Sequence, residues 1–258
     1  MGTVDLSQDG EIATLTLNNP GKLNAIDLGM WVQLAEIVTV LAGDRNVRCL
    51  LLRGAGSEAF AAGGDLAEFL TARATLEQAL HYHGQVAQAL DAIADCPHPT
   101  VALIQGACIG GGLEIAGACD LRICGESSRF GAPINCLGFS MYPGEMSGLL
   151  RLAGPAVMKE ILLEGRILDA REAYEKGLVT RVVPDALVAH EALGTARRIC
   201  GGAPLVAGWH KQWIRRLLDG SPLSDAEKAA SFAFLDTEDY REGLAAFLAK
   251  RKPDFKAR

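Results

Sequence analysis

The chain has 258 residues, of which 49% are hydrophobic and 22% are charged; this composition excludes a disordered chain, and the length is enough to bury a large core. The net charge is −6, and no basic stripe interleaved with aromatic residues is present, which argues against binding to nucleic acid. No apolar stretch approaches the ~20 residues that span a bilayer, so no membrane partner is expected.

The first part of the chain predicts a hairpin followed by a helix. Residues 4–17 predict two short strands joined at Asp9-Gly10, because this dipeptide favours a tight hairpin turn. Asp27 is placed to cap a helix that extends to about Ala42 and ends at Gly43.

Strands and helices then alternate along the chain. Strands are predicted over 47–53, 100–105 and 121–125, and helices over 76–95 and from 110 to about 117. Alternation of this kind implies parallel strands joined by crossover connections, so the fold class is α/β. Periodicity by itself is equally compatible with a doubly wound sheet.

From Asp185 onward the sequence predicts only helices. They are expected at about 185–200, 204–219, 222–235 and 238–251. The change of character near residue 195 predicts two regions, an α/β core over 1–195 and a helical region over 196–258.

Seven cysteines are scattered through apolar segments without a CxxC pair. They are expected to be small buried side chains in a reducing compartment, not a disulfide framework or a metal site. The first ten residues lack the basic region and apolar run of a secretory signal. A cytoplasmic location is therefore expected.

Three consecutive glycines, Gly110–Gly112, lie where a helix is predicted to begin. Backbone N–H groups at a helix start have no intrahelical acceptor and carry the positive end of the helix dipole, so they can hold a developing negative charge. A second small-residue turn, F-A-A-G-G-D-L at 60–66, also follows an apolar strand. Although a glycine triplet alone is more often a tight connection, two such turns predict an oxyanion hole, which needs two converging donors.

Glu114 is the one ionisable side chain in the stretch 113–118. A carboxyl on such a helix either faces solvent or is buried with a raised pKa, and the second case suits a proton shuttle. A nicotinamide dehydrogenase is disfavoured because the GxGxxG pattern after an N-terminal strand is absent.

Six ordered motifs resemble those of the crotonase (enoyl-CoA hydratase/isomerase) family, from about residue 4 to the end. They are L-N-N-P-G-K-L-N-A-I-D at 17–27, A-A-G-G-D-L at 61–66, G-G-G-L-E-I-A-G-A-C-D-L-R-I at 110–123, F-G-A-P at 130–133, G-L-V-T-R-V-V-P at 177–184 and E-D-Y-R-E-G-L-A-A-F-L-A-K-R-K-P-D-F-K at 238–256. The resemblance implies an α/β spiral of repeated β-β-α units. It also implies that the C-terminal helices mediate trimerisation, often as a dimer of trimers.

The resemblance implies an acyl-CoA enzyme in which the backbone N–H groups of Gly64 and Gly111 polarise the thioester carbonyl. Glu114 matches the first of two catalytic glutamates in family hydratases. The second would follow the F-G-x-P motif directly, where this chain has Ile134. Isomerisation or an atypical hydration is therefore expected. Glu145 is a candidate second acid from a different position, with an exposed first-turn acid as the alternative interpretation.

The resemblance also implies a set of substrate-binding residues and no cofactor beyond the coenzyme A of the substrate. Phe247 and Lys250 on the last helix match positions that often act from a neighbouring subunit. The expected set is Lys22, Leu23, Ala25, Ala62, Gly63, Asp65, Leu66, Gly110, Pro133, Ile134, Leu137, Gly138, Tyr142, Phe247 and Lys250. Asp65 is also explained as a helix N-cap. The alternative function is a catalytically weak acyl-CoA-binding homologue.

Overall fold

Ten strands form the two sheets of the computed structural model, which describes residues 1–258. The strands are β1 Thr3–Asp9, β2 Ile12–Asn18, β3 Cys49–Gly54, β4 Ala59–Ala61, β5 Thr100–Ile104, β6 Ala107–Ile109, β7 Leu121–Gly125, β8 Arg129–Gly131, β9 Ile167–Asp169 and β10 Arg181–Val183. The larger sheet has the order β1-β2-β3-β5-β7-β10 and the smaller sheet the order β4-β6-β8-β9. Apart from the β1–β2 and β8–β9 pairs, all neighbouring strands are parallel.

Ten α-helices cover these sheets and form the C-terminal region. They are α1 Leu28–Ala42, α2 Leu66–Ala72, α3 Leu76–Asp95, α4 Gly111–Ala118, α5 Pro143–Lys159, α6 Ala170–Glu175, α7 Val188–Cys200, α8 Pro204–Leu218, α9 Asp225–Ala230 and α10 Glu238–Leu248. Short 3-10 turns cover Ile134–Leu137, Asp185–Leu187 and Ala233–Asp236, and a π-helical turn covers Glu160–Glu164. Helix α5 is broken at Gly154, whose φ is +76°. No helix has the length and apolar character needed to cross a bilayer.

The chain repeats one unit three times. A strand of the larger sheet is followed by a three-residue strand of the smaller sheet and then by helix, as in β3–β4–α2, β5–β6–α4 and β7–β8–α5. This is the predicted spiral of β-β-α units and not a doubly wound sheet, because successive strands alternate between two sheets. The α/β fold class is confirmed.

Local capping signals fixed several boundaries as predicted. Asp27 caps α1 by accepting a hydrogen bond from the Met30 N–H at 2.9 Å, and Gly43 ends this helix. The hairpin turns at Gly10 with a φ of +57°, and α3 has the predicted bounds. The predicted helix at 222–235 is wrong in extent, because only 225–230 is α-helical and a 3-10 turn follows.

The main core lies between the larger sheet and helices α1, α3 and α4, with Trp31, Phe60 and Phe130 among its largest buried side chains. A second apolar cluster covers the opposite face of the sheet, where Ala192 and Ala196 of α7 pack. The predicted boundary after residue 195 therefore falls inside a helix that packs on the sheet. The division into a core and a C-terminal region stays a prediction.

All seven cysteines are free thiols, and six of them are buried. Burial raises the pKa of Cys119 and Cys124 to about 12 and that of Cys200 to about 11, so these thiols remain protonated near neutral pH. Cys136, in the 3-10 turn after β8, is exposed. No group of three or more His, Cys, Asp or Glu side chains is arranged to hold a metal ion.

Candidate active site

A cavity of about 260 Å³ lies where the two glycine turns meet helices α3 and α5. Many of the residues proposed from the sequence line this cavity. They are Ala62, Gly63, Gly64, Leu66, Gly110, Gly111, Glu114, Pro133, Ile134, Leu137 and Glu145. The cavity therefore brings together both candidate backbone donors and both candidate carboxyl groups.

The N–H of Gly64 has no acceptor within the protein. The Gly63 carbonyl accepts a hydrogen bond from the Ile26 N–H at 2.8 Å, and the Asp65 N–H donates to the Ile26 carbonyl at 2.9 Å. No peptide bond is cis, and in a trans peptide the carbonyl and the following N–H point in opposite directions. The Gly64 N–H therefore points away from Ile26. Gly64 itself lines the cavity.

The N–H of Gly111 is unpaired for a different reason. Gly111 is the first residue of α4, and the preceding carbonyl of Gly110 accepts the helical hydrogen bond from the Glu114 N–H at 3.0 Å. The Gly111 N–H therefore points out of the start of the helix, where no intrahelical acceptor exists. Two N–H donors without internal partners thus border one cavity.

Glycine is required in these turns because of backbone conformation and close packing. Gly63 and Gly110 have φ values of +108° and +48°, which disfavour residues with a side chain. The turns also approach each other closely, since a Cβ on Gly110 would lie 3.5 Å from the Gly63 Cα. A Cβ on Gly112 would lie 2.5 Å from the Ala61 carbonyl oxygen, so α4 packs its backbone directly against β4.

Glu114 is in the first turn of α4 and is only 8% exposed. Because residues three apart lie on one face of a helix, its side chain is on the same side of α4 as Gly111. Burial, and to a smaller extent the nearby Glu145 carboxylate, raises the pKa of the Glu114 carboxyl to about 8, and Arg73 opposes this shift. Glu114 is therefore largely protonated near neutral pH.

Glu145 is in the first turn of α5 and is 7% exposed. The alternative interpretation of an exposed surface acid is therefore wrong. Its Oε1 contacts the Nδ1 of His83 on α3, and the His83 ring stacks on Tyr142 with centroids 5.0 Å apart. Tyr142 itself does not line the cavity and supports it through this histidine.

Several cavity residues were not singled out in the sequence. They are Trp31, Phe69, Arg73, Tyr82, Val86, Ile109, Phe139, Ser140 and Met141. They come from α1, α2, α3, β6 and the segment before α5, so only the tertiary fold collects them. Two of them could have been predicted from the apolar face of α3, on which Tyr82 and Val86 lie four residues apart.

The remaining proposed residues lie outside the cavity. Lys22 forms an ion pair with Asp65 at 2.5 Å, and Asp65 caps α2 by accepting from the Ala67 N–H. Leu23 and Ala25 lie in the segment between β2 and α1, and Gly138 ends the 3-10 turn at Ile134–Leu137. Phe247, which is 80% exposed, and Lys250 belong to the C-terminal region.

Arg122 on β7 anchors the end of α4 that lies away from the cavity. Its guanidinium donates to the carbonyls of Ala116 at 3.2 Å and of Cys119. Ala116 lies in the last turn of α4 and Cys119 is its C-terminal cap, where helix carbonyls lack intrahelical donors. Arg122 therefore provides hydrogen-bond donors for the carbonyl groups at the C-terminal end of α4, the helix whose first turn contains Gly111 and Glu114.

The arrangement combines two free N–H donors with two buried carboxyl groups in a largely apolar cavity. Such donors can stabilise an oxygen on which negative charge develops, and the carboxyl groups can exchange protons with neighbouring atoms.

Comparison with known proteins gives consistent matches over the whole chain. The family model described as enoyl-CoA hydratase/isomerase matches residues 7–258. A protein of Rhizobium meliloti named "probable enoyl-CoA hydratase" is 35% identical over 99% of this chain and 98% of its own length. A crystal structure of an enoyl-CoA hydratase/carnithine racemase from Magnetospirillum magneticum is 50% identical, with a TM-score of 0.98 and coverage of 100% and 97% of the two chains. The enoyl-CoA hydratase structure from Bacillus anthracis is 31% identical, with a TM-score of 0.91 and coverage of 99% and 100%.

Proposed function

Because the chain belongs to the enoyl-CoA hydratase/isomerase family, we propose that its cavity binds an acyl-CoA thioester and adds water to a 2,3-double bond. In this proposal the thioester oxygen lies between the N–H groups of Gly64 and Gly111. Both donors lack internal partners, so they are free to bind the substrate. Each such donor is worth ~2.7–4 kcal/mol of transition-state stabilisation.

Polarisation of the carbonyl makes C3 electrophilic and stabilises an enolate after water attacks. The oxygen of water forms a bond to C3, its proton passes to Glu145, and the proton held by Glu114 moves to C2. No cofactor takes part beyond the coenzyme A of the substrate. The raised pKa of Glu114, about 8, supports this assignment because the acid must carry a proton at the start.

The observation that carries the proposal is the burial of Glu114 and Glu145 in one cavity. Hydration requires two carboxyl groups around one water in this family, and Ile134 provides none. Glu145 supplies the second carboxyl from α5, which makes the hydration atypical.

Isomerisation is the second candidate function. For a 3-enoyl-CoA it requires one group that removes a proton from C2 and returns it to C4, which moves the double bond to C2–C3, and Ile134 at the other family position favours this chemistry. The two reactions differ in product mass, since hydration adds one water and isomerisation adds nothing.

The test is turnover of crotonyl-CoA, followed by loss of enoyl-thioester absorbance and by product mass, with a 3-enoyl-CoA assayed in parallel. We expect Glu114→Gln and Glu145→Gln each to lower kcat by ~10²–10⁴-fold. Glu126→Gln is the matched control, because Glu126 is exposed and makes no ion pair.

Each other outcome points to a different function. Full activity of Glu145→Gln would contradict the carboxyl pair, and turnover of the 3-enoyl-CoA alone would identify an isomerase. Tight binding of acyl-CoA without turnover on a broad panel would support the catalytically weak homologue instead.

We also propose that the region 196–258 assembles the chain into a trimer or a dimer of trimers. Phe247 and Lys250 would then contact the coenzyme A bound to a neighbouring subunit, because they do not line the cavity of their own chain. Lys22, Leu23 and Ala25 are proposed to meet the nucleotide end of the substrate.

A further inference from the structure

Arg73 is the one arginine or lysine that lines the cavity. It lies at the C-terminal end of α2, and its guanidinium carbon is 4.0 Å from the ring centroid of Phe69, 5.0 Å from that of Phe139 and 5.4 Å from that of Tyr82. Contacts of this kind are attractive because the face of an aromatic ring is electronegative. Three aromatic rings therefore surround the guanidinium group.

The charge of Arg73 has no partner within the protein. Its side chain makes no ion pair and no hydrogen bond, whereas Arg166, Arg181, Arg216 and Arg251 all pair with glutamates. A guanidinium presents five N–H donors around its edge, and none of the donors of Arg73 is used by a group of the protein.

Neither of the two glutamates of the cavity forms an ion pair with Arg73. Glu145 is paired with His83, and Glu114 is largely protonated near neutral pH because its pKa is about 8. The rest of the wall near the rings is apolar and includes Val86, Leu137 and Met141. A single fixed cation in an apolar pocket is the type of polar group that sets ligand specificity.

Arg73 lies close to the Gly64 turn, where the thioester is proposed to bind, so it is placed to meet the acyl group of the substrate and not its nucleotide. Phe69, on which it stacks, packs against the Gly64 turn, since a Cβ on Gly64 would lie 3.0 Å from the Phe69 Cζ. Phe69 and Phe139 stack edge to face with centroids 5.8 Å apart, and both rings line the same cavity as Ile134 and Leu137.

We propose that the acyl chain taken by this cavity ends in a carboxylate, which Arg73 binds through its guanidinium edge. The substrate class is then a short enoyl-CoA with an anionic terminus, that is, the monothioester of a dicarboxylic acid. This inference rests on the proposed function for the binding of the thioester itself. A planar guanidinium matches a carboxylate with two parallel hydrogen bonds, which are strong because both groups are charged.

The test compares two saturated, unreactive thioesters of equal chain length, glutaryl-CoA and pentanoyl-CoA, together with free coenzyme A, by titration calorimetry at neutral pH. Glutaryl-CoA ends in a carboxylate where pentanoyl-CoA ends in a methyl group. We expect the wild-type protein to bind glutaryl-CoA at least tenfold more tightly than pentanoyl-CoA. Arg73→Met should abolish the preference while leaving pentanoyl-CoA affinity within about twofold, and Arg73→Lys should retain part of the preference.

Arg151→Met is the matched control, because Arg151 is exposed on α5 and makes no ion pair, and it should leave both affinities unchanged.

Retained binding of pentanoyl-CoA would show that the Arg73→Met variant is folded. Equal affinity of the wild-type protein for both thioesters would overturn the inference and leave the proposed function standing. An equal loss for both thioesters and free coenzyme A in Arg73→Met would show that Arg73 binds phosphate instead. Absence of binding by any thioester would overturn the proposed function, and the inference with it.

Discussion

The carboxyl of Glu114 is held in its protonated form by its surroundings. Its folded-state pKa is about 8, raised from an ordinary value of 4.5 mainly by burial. Between these two values the folded protein binds a proton that the unfolded chain has released. The free energy of unfolding therefore falls as the pH rises through this window and levels off above it.

Glu114→Gln keeps the shape of the side chain and removes its titration, so its effect on stability should depend on pH. We expect the melting temperature of the variant relative to wild type to change little at about pH 4 and to rise most at about pH 9. Thermal denaturation across this range measures the difference. Glu126→Gln should give a difference that is flat with pH, and a flat profile for Glu114→Gln would contradict a buried, protonated carboxyl.

The residues of the site differ in how well they could be predicted from the sequence. Glu114 was predictable because it is the one ionisable group in an apolar helix start. Glu145 was left open because the loop before α5 has no periodic pattern that fixes its register. Arg73 carries no local signal at all, since its role depends on Phe69, Tyr82 and Phe139, and Phe139 comes from a distant part of the chain.

At the scale of elements, local chemistry set the helix boundaries. Helix α3 begins after Thr75, whose side chain and that of Gln78 form a reciprocal capping box, and it ends before two prolines. The strands β4, β6 and β8 are only three residues long, too short for a period of two to be recognised. Their pairing is settled by the tertiary fold, so the second sheet was expected only from the resemblance to a known family.

The close contact between α4 and β4 predicts that Gly112→Ala is destabilising. The added methyl group would meet the Ala61 carbonyl oxygen at 2.5 Å, and backbone atoms cannot rotate away as a side chain can. We expect a loss of about 1–3 kcal/mol in the free energy of unfolding, measured by urea denaturation. Turnover should also fall, because the shift displaces the Gly111 N–H.

Gly84→Ala provides the matched comparison. Gly84 is exposed within α3, and a Cβ there would meet nothing within 4 Å. Alanine at such a position stabilises by about 0.4–1 kcal/mol through the unfolded state. Wild-type stability of Gly112→Ala would show that α4 can move off β4 without cost.

At the scale of the whole molecule, the C-terminal helices leave much apolar surface uncovered. The exposed side chains there include Ile214, Leu217, Leu218, Phe232, Leu235, Leu244, Phe247 and Leu248. Apolar surface concentrated in one region of a chain marks an interaction site. For the proposed trimer or dimer of trimers, sedimentation velocity should give three or six times the mass of one chain.

A charge within this surface should weaken the assembly. Leu217, on α8, is 58% exposed in the single chain, and Leu217→Lys should shift the sedimenting species toward the monomer, because an interface core excludes unpaired charge. Val40→Lys is the control, since Val40 is 73% exposed on α1 and lies in another region. A wild-type protein that sediments as a monomer at micromolar concentration would contradict the prediction.

The thiol of Cys136 has a practical use. Its six counterparts are buried, whereas it lies in a short turn whose first and last residues, Ile134 and Leu137, line the cavity. A maleimide dye added to the native protein should therefore attach at one place only, in the turn that lines the cavity. The wild-type chain therefore has a single labelling site for a fluorescent dye. Ligand entry can be followed by changes in the emission of this dye without any change to the sequence.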